Sequence, residues 1–525
     1  MLGWALELHG ARVEDRERLL RRGDYCWGSF VKPERVDGYI VGVNPGDRSD
    51  VLGRFPFSET SVDDAVDAAA RGGITWRRIP RVDRCKILRK YRDNLHRFQE
   101  AHADLITRET GKPLWEARQE VIASIRAVDL LVEEGIALLE PRILNEREAR
   151  SDYRPRGVVG ILAPYNLPLL IPTLQCSAAM LSGNTVVLKP SKFTPGVGQR
   201  VAEMWDRCKL PRGTFNMVQG SGASIGQRLS THPGLDALLF SGSFTTAMAI
   251  RRATFDRPEL PTLYQCGGKG CAVVLDGCDI NRAVYEVLVG AFLTAGQRHN
   301  STGRVIVTKS VFDAFRHEIG RRASQVSVGY GFDKSSFFGP VISENFRTRY
   351  RRYVRALVER GHSHILEGGN CEVEGRRGFY VSPAIYWVNW ENGHAFINEE
   401  PPGPTLLVYR VSGWEEAVAL HNKLLYRVST SLFVPAGAPH LGEIVGRLKT
   451  GSLNLNRGTI GASLRLPSVG LGRSSNGIPG GIDLLRFLST PRSTLVETRP
   501  FDPSQAVPGI NWHADTDLSD DLELV

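Results

Sequence analysis

Short apolar runs, each stopping at a turn or a charged residue, alternate along this chain with longer stretches of helical periodicity. Gly157 to Ala163 ends before Pro164, and Asn184 to Leu188 ends before Lys189. Thr214 to Val218, Ala237 to Phe240 and Cys271 to Leu275 repeat the pattern. Runs without polar alternation read as strands covered on both faces. Val62 to Ala70, Arg84 to Thr107 and Leu114 to Leu139 carry apolar residues at helical spacing. The alternation predicts an α/β fold built on parallel sheets. A second block, from about Gly268 to Asn454, has strands predicted at Arg304 to Thr308 and Leu406 to Val411. Ligands in such folds lie beyond the carboxyl ends of strands. Asn166, Lys189, Ser241 and Gly242 fall there, and His299 and Gln265 are expected to line the cleft between the blocks.

At 525 residues the chain is long enough for two or more domains. No run of about 18 apolar residues occurs, so no membrane span is expected. Met1 to Arg22 mixes acids and arginines, which argues against a signal peptide. The eight cysteines have neither metal-type spacing nor a disulfide pattern. A reduced, cytoplasmic protein without a metal site is expected. The net charge of +9 is concentrated in Arg71 to Arg97 and Arg347 to Arg360. There the basic residues are interleaved with acids and apolar positions, which predicts solvated helix faces rather than a nucleic-acid surface.

Several segments carry a family likeness. They are Arg108 to Ala117 (Arg-Glu-Thr-Gly-Lys-Pro-Leu-Trp-Glu-Ala), Pro164 to Pro168 (Pro-Tyr-Asn-Leu-Pro), Gly183 to Pro195, Phe240 to Ser243 (Phe-Ser-Gly-Ser), Gly296 to Arg304 and Glu399 to Pro404. In that order, across roughly residues 24 to 510, they resemble the aldehyde dehydrogenase superfamily. The Pro-Tyr-Asn box, the Trp115 segment and Gly461-Ala462-Ser463 are most similar to its N-succinylglutamate-5-semialdehyde dehydrogenase branch.

The resemblance implies two parallel-sheet α/β domains and a small β oligomerisation arm. Residues 24–141 and 157–264 would form a Rossmann-like cofactor domain, and residues 265–455 a catalytic-type domain. The arm would comprise 142–156 and 494–501, giving a homodimer or higher oligomer. Residues 1–23 would be an extension and 511–525 an acidic tail.

The same resemblance exposes departures at the chemistry. His299 stands where the family keeps its cysteine nucleophile. A thiolate holds the substrate covalently while hydride leaves; an imidazole replaces it poorly. Gln265 stands where the family has its general-base glutamate, and an amide accepts no proton at neutral pH. Asn166 matches the oxyanion-stabilising asparagine. Lys189 and Glu400 match residues that hold the cofactor's riboses, and Gly242 and Ser243 lie in the matching cofactor motif. Lys192 replaces an acid, which would suit a 2′-phosphate. Ala247 replaces a glycine near the pyrophosphate, and Pro402 a phenylalanine beside the nicotinamide. NAD or NADP binding is therefore open. Arg457, Ser463 and Arg465 are candidates to hold a substrate carboxylate.

Three functions stay open on these residues. One is a repurposed enzyme performing a non-oxidative step on a small aldehyde, imine or acyl-amino acid. Another is a pseudoenzyme that binds a protein partner or ligand. The third is an atypical NAD(P)-dependent aldehyde dehydrogenase.

Overall fold

The computed structural model describes residues 22–144, 149–389, 396, 398–510 and 512. The expected extension at 1–23 therefore lies outside the described residues except for its last two, and the acidic tail except for Trp512.

Two seven-stranded sheets organise the chain. In the first, Thr262–Cys266, Ala237–Gly242, Val158–Leu162, Thr185–Lys189 and Phe215–Met217 run parallel in that spatial order. Asp24–Cys26 and Ser29–Val31 extend it antiparallel at one edge. In the second, Ala384–Trp387, Thr405–Val411, Thr302–Thr308, Gly270–Val274, Ser429–Phe433 and Ser452–Leu455 run parallel. Ser363–Leu366 is its antiparallel edge. Val158–Leu162, Thr185–Lys189 and Gly270–Val274 are buried at every residue, as strands covered on both faces must be.

The domain boundaries shift from those expected. Gln265 sits in the edge strand of the first sheet, paired with Ser241, so the crossing to the second domain comes between Cys266 and Gly270. After Leu455 the chain returns: Ile478, Ile482, Leu484, Leu485 and Leu488 pack into the first domain's core. The single helix expected over Arg84 to Thr107 is two, Arg81–Arg97 and Gln99–Thr110. The break is at Phe98, whose φ of −110° and ψ of 23° leave the helical region.

A third, three-stranded antiparallel sheet joins Arg142–Leu144, Ala149–Pro155 and Ser489–Leu495. Its last strand overlaps the expected 494–501 only at Thr494 and Leu495. Among the described residues no helix is long and apolar enough to cross a membrane.

Candidate active site

The strand ends of the first sheet and the start of the second domain enclose a cavity of about 310 Å³. Asn166, Gln265, His299, Glu400, Gly242 and Ser243 all line it, so sequence positions far apart converge on one cleft. A contiguous cavity of about 600 Å³, lined by Lys189, Lys192, Gly222, Gly226 and Thr246, lies on the first-domain side. The two share Ala163, Ser191, Phe240, Ser241 and Thr246.

His299 follows an unusual turn. Thr294, Ala295 and Gly296 are all left-handed, with φ of 56°, 51° and 65°. Such conformations cost non-glycine residues on the order of 1–3 kcal/mol each and persist only where surroundings enforce them. Glycine is required at 296, where a Cβ would come within 2.3 Å of the Gly403 carbonyl oxygen. The enforcing contacts come from helix Leu114–Glu133. Its Glu116 accepts a bond from Arg298 Nη2 at 2.8 Å and a very short one from the Thr294 hydroxyl. Arg298 Nε also donates to Thr294 Oγ1 at 2.8 Å. Burial would raise the Glu116 carboxyl, but the Arg298 and Lys112 charges outweigh it and hold the group below the usual carboxylate range.

His299 itself is partly exposed to the cavity. Removal from water, and then the Arg298 charge, push its imidazole down to about 4. At neutral pH it is an uncharged ring with a free lone pair. Its sequence neighbours take no part: Ser301 is fully buried and accepts from the Arg298 backbone N–H. Asn300 donates to the Thr459 carbonyl.

Asn166 is held by the same helix, one turn on. Lys112 Nζ donates to Glu120 Oε2 and to the Asn166 carbonyl, both at 2.7 Å. Glu120 Oε1 accepts from the Leu169 and Leu170 backbone N–H groups. The Asn166 side-chain Nδ2 donates one hydrogen to the Gln297 carbonyl at 2.8 Å. Its second hydrogen remains for a ligand oxygen.

Gln265 belongs to a neutral cluster. Its Oε1 lies 3.3 Å from Ser241 Oγ and 3.5 Å from Gln175 Nε2. Its Nε2 abuts Gly480, where a Cβ would approach it to 2.5 Å. Cys266 points into the apolar core, as strand alternation expects. No cysteine lines either cavity.

Glu400 lies over the Gly267 backbone; a Cβ there would reach its Oε1 at 2.6 Å. Two buried basic side chains hold the surrounding chain. Arg304 donates to the carbonyls of Gly268, Phe396 and Glu399. Lys269 Nζ donates to the Gly403 carbonyl at 2.6 Å.

In the larger cavity, burial and the nearby Lys192 charge bring Lys189 down to about 8, and its Nζ donates to the Pro190 carbonyl. Ser243 caps helix Phe244–Ala253 through a bond from the Thr246 N–H. Ala247, which replaces the family's glycine near the pyrophosphate, is the residue of that helix fully buried in the apolar cluster. Pro402, which replaces the family's phenylalanine beside the nicotinamide, is buried and lines neither cavity.

Arg457, Ser463 and Arg465 are exposed and absent from both cavity linings. Arg465 pairs with Glu134 at 2.7 Å, and Ser463 Oγ accepts from its N–H. The cation that does line the His299 cavity is Arg349, which sequence reasoning missed. It sits within a run of arginines, and only the tertiary placement of helix Glu344–Glu359 distinguishes it. Lys112, Glu116 and Glu120 were missed too, although two acids four apart on an otherwise apolar helix face were a usable signal.

The aldehyde dehydrogenase family pattern matches residues 30–494, and the chain belongs to that family. It is similar to the N-succinylglutamate 5-semialdehyde dehydrogenase of Burkholderia thailandensis, at 32% identity over 92% of this chain and 99% of the relative. The enzyme of that name from Burkholderia mallei is also 32% identical, over 89% of this chain and 96% of its own. Among solved structures, Escherichia coli lactaldehyde dehydrogenase superposes with a TM-score of 0.85 at 28% identity, covering 90% of this chain and 99% of that one. A Sinorhizobium meliloti NAD-dependent aldehyde dehydrogenase gives 0.85 at 27%, covering 92% and 97%.

Proposed function

We propose that this family member carries out a non-oxidative step, the addition of water to a small aldehyde, imine or acyl-amino acid. The observation that carries the reading is that the cavity holds a neutral imidazole and no thiol, with Gln265 tied into an uncharged cluster. His299 accepts a proton from water as the water oxygen bonds to the carbonyl carbon. The carbonyl pair moves onto oxygen, where the spare Asn166 N–H stabilises it. The imidazolium then returns its proton, to that oxygen for an aldehyde or to the departing group for an acyl compound. Arg349 supplies a cation for a substrate carboxylate.

The protein is proposed to work in the cytoplasm, where its eight unpaired cysteines stay reduced. It is proposed to form a homodimer through the three-stranded sheet, on which Ile143, Leu144 and Leu495 are exposed. A second reading, a binding protein without turnover, is favoured by the burial of His299 and then the Arg298 charge, which together weaken the imidazole as a base.

The test is hydrolysis of nitrophenyl acetate by the purified chain, beside NAD(P)H formation from small aldehydes. Hydrolysis that falls about 100-fold in His299→Ala, with no NAD(P)H formed, supports the catalytic reading. Hydrolysis indifferent to His299 leaves the binding protein. Cofactor reduction by the wild type overturns both.

A further inference from the structure

Tyr165, Phe193 and Phe346 all line the His299 cavity and pack edge to face on one another. The centroid separations are 5.7 Å for Tyr165–Phe193, 5.5 Å for Tyr165–Phe346 and 6.4 Å for Phe193–Phe346. Two of the rings come from the first domain. Tyr165 follows strand Val158–Leu162, and Phe193 follows strand Thr185–Lys189. These are carboxyl ends of neighbouring parallel strands, where a ligand would cross such a sheet. The third ring, Phe346, comes from the first turn of helix Glu344–Glu359 in the second domain. The aromatic contacts therefore span the cleft.

We propose that Phe346, packed on Phe193 and Tyr165 across the interdomain cleft, bars an extended dinucleotide from joining the Lys189 cavity to the His299 cavity.

The two cavities are contiguous, yet the three rings line only the smaller one. A dinucleotide with its adenosine end by Lys189 and its reactive ring by His299 has to pass the residues that both cavities share, one of which, Ser191, lies two positions before Phe193. Phe193 makes three contacts that hold it. The Lys192 ammonium lies 5.2 Å from its ring centre, and the other two rings pack against it. Edge-to-face pairs and cation–π contacts both stabilise the closed arrangement. Opening it for a ligand breaks both contacts made by Phe346, so the apparent affinity is scaled down by the small fraction of open molecules. The smaller cavity is left as a compact site for a small carbonyl compound. The inference thus rests on the proposed non-oxidative function, but its test needs no turnover.

Calorimetric titration of the full chain with NAD⁺ and NADP⁺ tests it, comparing wild type with Phe346→Ala. The expected result is at least about 10-fold tighter binding of one dinucleotide by the variant. Equal binding by the two proteins, whether tight or undetectable, overturns the proposal. Thermal unfolding reports whether Phe346→Ala is folded. If it is not, Phe346→Leu keeps apolar volume, removes the ring and is expected to show the same gain. The hydrolysis assay stands apart, since it contains no dinucleotide, so either idea can fail alone.

Discussion

Arg298 Nη2 lies 2.8 Å from Glu116 Oε1 although 182 residues separate them. One turn further along the same helix, Glu120 holds Lys112 beneath Asn166. A single helix thus sets both the His299 turn and the Asn166 loop through two buried carboxylates. It uses ion pairs where the apolar core cannot hold a left-handed turn in place.

Breaking the first pair should be costly. Glu116→Gln leaves Arg298 poorly matched in a site where the carboxylate side chain is only 1% exposed. A loss of about 3–5 kcal/mol is expected from denaturant unfolding. The pH dependence has a definite sign. The folded carboxyl lies below its ordinary value of 4.5, so its contribution is full above that pH. It falls as pH drops toward the folded pKa. The gap in Tm between wild type and variant should narrow in that acid window and stay constant above it.

Lys269 reports on the other side of the cleft. Burial, partly opposed by Glu400, brings it down to about 7 from 10.5. Between those values the unfolded chain binds more protons than the folded one, so stability rises with pH. Wild type is expected to gain stability relative to Lys269→Met from pH 7 to 10. Parallel Tm profiles would contradict this.

The hydrolytic rate should follow the neutral form of His299. With the imidazole down at about 4, the rate is expected to be flat near neutrality and to fall below that value as the ring takes up a proton. A midpoint near 6.5 would mean the ring is hydrated and remote from Arg298.

Asn166→Ala removes the side-chain N–H proposed to stabilise the oxyanion. The rate should drop about 100- to 1,000-fold with little change in KM. A pure KM effect would make Asn166 a binding residue only.

On the proposed reading, dehydrogenase chemistry should need more than a cysteine at 299 and a glutamate at 265. His299→Cys with Gln265→Glu supplies a thiol and a base, but the aromatic bridge remains. NAD(P)H formation from a small aldehyde is expected to rise only when Phe346→Ala is added. Equal activity without it would show that the bridge does not limit the reaction.

The strands and most helices were legible because their signal is local. Val158–Leu162 is apolar throughout and Thr185–Lys189 at its three central residues, and both are buried at every residue, so burial on both faces writes itself into consecutive residues. His299 and Gln265 stood out against a family pattern for the same reason, since a motif is local. Arg457 and Arg465 could not be told apart from Arg349 in the sequence, because exposed and cavity-lining arginines look alike there. Phe98 carried no breaker residue, so the division of the predicted Arg84 to Thr107 helix had no local mark.

By itself the sequence determined an α/β chain of two parallel-sheet blocks and the identities of the residues at its strand ends. Tertiary structure alone decided which polar groups meet in the cleft, that Arg349 rather than Arg465 faces it, and that Phe346 reaches Phe193. The physical reason is range. Burial and periodicity act between neighbours, whereas ion pairs such as Glu116–Arg298 and ring contacts across the cleft join residues whose proximity exists only once both domains are folded.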